Sequence, residues 1–63
     1  MAQVRDGSAL LEFRTVGTIT RVSAIDPATN TEVVIQGPSS AGRATLTRTA
    51  IAKLNYVLGK RAG

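Results

Sequence analysis

A chain of 63 residues with no cysteine and no histidine has neither disulfides nor the imidazole and thiolate ligands with which small domains supplement a small core. At 43% hydrophobic and 19% charged residues it lies in the globular range, which argues against wholesale disorder, and its acids Asp6, Glu12, Asp26 and Glu32 are too scattered for a calcium or magnesium loop. A domain of this size buries only about 60% of the surface its unfolded chain exposes, so self-association is the stabilising route left open.

The formal net charge of +4 is unevenly placed. Residues 1–36 hold three arginines against four acids, whereas residues 37–63 hold Arg43, Arg48, Lys53, Lys60 and Arg61 and no acid. Such asymmetry marks a nucleic-acid or anionic surface when the cations cluster on one face, and an ordinary solvated helix when they do not. No window approaches the roughly 18 apolar residues of a membrane span, and the N-terminus lacks an apolar stretch of signal-peptide length. The expectation is a cytoplasmic protein with no membrane association, and the lack of cysteine fits a reducing compartment.

Along the chain, residues 1–8 read as a flexible leader, because Arg5-Asp6-Gly7-Ser8 is polar and offers no packing surface; residues 9–63 form a single domain. Leu10–Val16 alternates as a half-buried strand with Leu11 and Phe13 inward. Gly17 then marks a tight turn or bulge before the second run, Ile19–Ile25. Thr20, Val22 and Ala24 share one face of that run, and Ile19, Arg21, Ser23 and Ile25 share the other. Asp26-Pro27-Ala28-Thr29-Asn30 is a hairpin signal: proline presets φ, the aspartate bonds amides ahead of it, and asparagine accepts the left-handed conformation. A third strand, Glu32–Gln36, points Val33 and Ile35 at the core and stops at Gly37-Pro38.

The remainder has helical periodicity. Ser39 or Ser40 is the expected N-cap. At 100° per residue Leu46, Ala50, Ile51, Leu54, Val57 and Leu58 fall on one stripe, with Arg48, Thr49, Ala52, Lys53 and Tyr56 opposite. Gly59 is the expected stop, with Lys60 and Arg61 complementing the negative end of the helix dipole. The predicted fold is α+β: a three-stranded antiparallel meander followed by one C-terminal helix packed on the sheet (βββα), expected to be homodimeric.

Chemistry finds little purchase. Ser8, Ser23, Ser39 and Ser40 have no histidine to activate them, and a serine–lysine pair with Lys53 or Lys60 needs a desolvated lysine. The Gly-Pro-Ser-Ser-Ala-Gly stretch at 37–42 lacks the Gly-Lys-Ser/Thr ending of a phosphate loop. No catalytic, metal or cofactor-binding residue is assigned, and the chain is read as non-enzymatic. Leu10, Val16, Ile19, Ile25 and Val34 instead share the sheet face away from the helix and are the candidate interface of a homodimer, or of an unidentified protein partner. The short Val16-Gly17-Thr18 link raises strand exchange as one form of that dimer. The alternative is a weak, salt-sensitive nucleic-acid binder using Arg14, Arg21, Arg43, Arg48 and Lys53 for phosphate contacts. With only Phe13 and Tyr56 as aromatic residues, it lacks rings for base stacking. Pairing of Glu12 with Arg21 across the strands is the simpler use of those charges.

The segments Glu12-Phe13-Arg14, Val16-Gly17, Val22-Ser23-Ala24-Ile25-Asp26-Pro27, Thr31-Glu32-Val33, Gly37-Pro38 and Leu54-Asn55-Tyr56-Val57-Leu58 resemble a family of short bacterial proteins with no assigned biochemical role. The likeness covers about residues 10–60. It implies a small strand-strand-strand-helix unit that pairs with itself, and it brings no catalytic residues to carry over.

Overall fold

The computed structural model describes residues 2–3 and 9–62. Three long antiparallel strands, β2 (Leu10–Val16), β3 (Ile19–Asp26) and β4 (Thr31–Pro38), lead through a 3-10 turn at Ser39–Ala41 into a helix, α1 (Arg43–Ala62). This is the βββα arrangement expected from the periodicity. A two-residue strand, β1 (Ala2–Gln3), adds to the β2 edge opposite Leu10 and Leu11, so the sheet order is β1-β2-β3-β4. The leader read over residues 1–8 otherwise lies outside the described residues.

Turn chemistry fixes the register. Gly17 has φ 63° and is the first central residue of the two-residue link between Val16 and Ile19. Glycine there supplies the positive φ of a II′ hairpin, whose twist matches that of the strands. The second hairpin closes Asp26 against Thr31. Asp26 Oδ1 accepts from the Ala28 amide at 3.3 Å and Oδ2 from the Thr29 hydroxyl at 2.9 Å. Asn30 takes φ 60°, the left-handed residue that the sequence calls for.

One face of the sheet supplies Leu11, Val22, Ala24 and Val33 to the core, and α1 supplies Leu46, Ala50 and Leu54. Phe13, Ile35, Ile51, Val57 and Leu58 pack around that centre. Ala50 is fully buried, and a small residue there lets the helix lie close to the strands. Gly37 serves the same end, since a Cβ on it would sit 2.9 Å from Leu46 Cδ2. Where the core ends near the first hairpin, hydroxyls replace methyls: Thr20 Oγ1 lies 2.8 Å from Thr15 Oγ1 and 3.0 Å from Ser39 Oγ.

Several boundaries differ from the sequence reading. Strand β4 runs on through Gly37 and Pro38, which stand opposite Thr20 and Ile19; proline is tolerated because β4 is an edge strand. Neither Ser39 nor Ser40 caps α1. Ser39 is drawn to the first hairpin by its amide on Thr18 O at 2.7 Å and its hydroxyl on Thr20, and the first helical bond runs from the Leu46 amide to Gly42 O. Gly59 does not stop the helix, which continues to Ala62. Glycine in a helix costs about 1 kcal/mol relative to alanine, too little to unravel a turn that Leu54, Val57 and Leu58 hold on the core.

Candidate functional site

The register turns the face away from α1 into four rows crossing β2, β3 and β4. Nearest the first hairpin stand Val16, Ile19 and Pro38. Arg14, Arg21 and Gln36 come next, then Glu12, Ser23 and Val34, and last Leu10, Ile25 and Glu32. All five candidate interface residues therefore share this face, in contrast to the helix face, where Leu11, Val22 and Val33 are buried in the core. Val16 is 73% exposed, Ile19 43%, Val34 41% and Leu10 40%, whereas Ile25 is half-buried. A strand face with so many large aliphatic side chains in water is costly at about 25 cal/mol per Å².

Charge on this face is balanced, with two arginines against two glutamates. Its placement is not what the sequence reading expects. Glu12 faces Ser23, and Arg14 stands directly opposite Arg21, a like-charge cross-strand pair that disfavours the hairpin on its own. The expected Glu12–Arg21 pairing is displaced by one row, for a reason legible in the turn. With two residues between Val16 and Ile19, counting outward brings 14 against 21 and 12 against 23. Two shallow hollows flank the arginine row. One, of about 340 Å³, is lined by Glu12, Phe13, Arg14, Arg21 and Ser23; the other, of about 230 Å³, by Arg14, Val16, Ile19, Arg21 and Gln36.

The five candidate nucleic-acid contacts do not share a surface. Arg14 and Arg21 lie on the open sheet face, and Arg48 is exposed on the helix. Arg43 sits 3.9 Å over the ring of the partly buried Phe13, a cation–π contact at the rim of the core. Lys53 Nζ donates to Val34 O at 3.1 Å. Its ammonium thereby occupies an acceptor of the edge strand β4, one means by which edges are protected from further strand pairing. Lys60 Nζ lies 5.6 Å from the Tyr56 ring centre, and that ring is 65% exposed on the helix. Both lysines are exposed, which is not the desolvated setting that a serine–lysine nucleophile needs. Among the described residues, no helix is long and apolar enough to cross a membrane.

Residues 6–61 match the family described as a domain of unknown function (DUF6898). No curated protein and no solved structure matches the chain.

Proposed function

The chain belongs to this family of unknown function (DUF6898), and from the surface of its sheet we propose that it acts as a small, non-enzymatic interaction module that self-associates as a homodimer. One observation carries the reading: Leu10, Val16, Ile19 and Val34 lie exposed on a single sheet face, while the opposite face is closed by α1. Burying such side chains is worth roughly 1.5–3 kcal/mol each at most, comparable with the whole stability of a small domain. A cysteine-free sequence fits a cytoplasmic site of action.

Each hairpin in this picture closes within its own chain, since Val16 pairs with Ile19 across a two-residue turn. The sheet face is thus available without exchange of strands. Nucleic-acid binding ranks below this reading because its five cations lie on separate surfaces, whereas phosphate tracking needs them on one.

Light scattering after gel filtration, over a tenfold range of concentration, tests the proposal. A dimer is expected, and Val16→Asp is expected to shift it to monomer; the site is exposed, so the fold tolerates the change. A wild-type protein that remains monomeric throughout would remove the reading. Salt-sensitive retardation of DNA or RNA by that monomer would favour the arginines as phosphate contacts.

A further inference from the structure

We infer that two copies meet face to face about a two-fold axis running across the strands, above the row of Phe13, Val22 and Ile35, so that Glu12 of each copy meets the partner's Arg14. The inference rests on the proposed self-association and names its geometry. In an isologous pair the same patch must complement itself, and packed sheets commonly keep their strands within about 30° of one another. Two axis directions in the plane of the interface satisfy both conditions.

An axis along the strands lays each row on itself. Arg21 then meets the partner's Arg21 and Arg14 meets the partner's Gln36, so no carboxylate faces either arginine. An axis across the strands reverses the order of the rows instead. Val16 and Ile19 then cover the partner's Leu10 and the partner's Ile25, joining the apolar ends. Arg14 and Arg21 cover the partner's Glu12 and the partner's Ser23. Juxtaposed like charges oppose association and opposite charges fix register, so the rows select the second axis.

The same arrangement accounts for the opposed arginines. Arg14 and Arg21 face each other within the chain, and the carboxylate that relieves them arrives from the second copy. The larger hollow, lined by Glu12, Arg14, Arg21 and Ser23 among others, lies between the two middle rows and thus on the axis, where side chains of both copies converge. The face itself has equal numbers of arginines and glutamates, so the contacting surfaces bring no net charge together although each chain carries +4.

Isotope-filtered NOEs between labelled and unlabelled wild-type chains test the geometry directly. Leu10 and Val16 lie six residues apart on one strand, about 20 Å at 3.3 Å per residue, so any methyl contact between them must be intermolecular. Such a contact is expected, with a second between Ile19 and Ile25. Charge exchange supplies an independent readout. Glu12→Arg alone and Arg14→Glu alone each place like charges at both symmetry-related contacts, and each is expected to weaken dimerisation by about tenfold or more. An equal mixture of the two variants restores opposite charges at both contacts and should recover the dimer. A protein of dimer mass without the Leu10–Val16 contact, or a mixture no tighter than its components, overturns this axis and leaves self-association standing. A wild-type monomer at every concentration overturns both. If either variant fails to fold, the wild-type NOEs decide.

Discussion

At the scale of single residues, Thr20 shows how a polar group is accommodated beside so small a core. Its side chain is on the helix face and the residue is 5% exposed, yet its hydroxyl lies between those of Thr15 and Ser39 at 2.8 and 3.0 Å. Valine has nearly the same shape and none of the bonding. Thr20→Val is expected to lose about 1 kcal/mol, the net worth of a typical intramolecular hydrogen bond, because Thr15 and Ser39 are accessible enough to turn to water. Urea unfolding should show a lower midpoint at unchanged slope; an unchanged midpoint would mean that the hydroxyl chain contributes nothing. This contact also explains why Ser39 misleads a reader of the sequence. A serine before a helical stripe satisfies the local capping rule, but its partner is 19 residues away on β3, and nothing in a local pattern announces it.

At the scale of elements, what is legible depends on whether the determinant is local. The hairpin at Asp26 and the inward residues Leu11, Phe13, Val33 and Ile35 follow from alternation and turn chemistry, and the structure places them so. The helix stripe of Leu46, Ala50 and Leu54 follows from the 3.6-residue period and is buried. Even the opposed arginines follow by counting outward from a two-residue turn at Gly17-Thr18, whereas a bulge there would shift the register. The helix end was not available, because a glycine near the close of a stripe signals termination only when the following residues have nothing to hold them. Since α1 passes through Gly59 and a Cβ there meets nothing within 4 Å, Gly59→Ala should stabilise the protein by about 0.5–1 kcal/mol through helix propensity and the unfolded chain's lost freedom. A rise of a few degrees in melting temperature by circular dichroism is expected. A fall would show that the last turn needs the glycine, as a helix stop would.

At the scale of the whole molecule, the fold has one core and two faces, and only one face is closed. Helix α1 covers β3 and β4 with a stripe of three buried side chains, Leu46, Ala50 and Leu54, and Arg43 stacks over the Phe13 ring. The open face holds aliphatic side chains at both ends and three of its four charges between them, a layout that a single small chain has little thermodynamic reason to keep in water. If pairing stabilises the folded state, unfolding and dissociation are one linked equilibrium, and stability becomes a function of protein concentration. Each tenfold increase then adds about 1.4 kcal/mol per dimer, and the melting temperature should climb by a few degrees. Val16→Asp should abolish that slope and lower the melting temperature only at high concentration, where the wild-type protein is paired. At high dilution the two proteins should melt nearly together, because Val16 is 73% exposed within its own chain and gives up little on folding alone. A wild-type melting temperature independent of concentration across the range where light scattering finds a dimer would show instead that the subunits unfold without parting. The open face would then contribute nothing to the stability of its own chain.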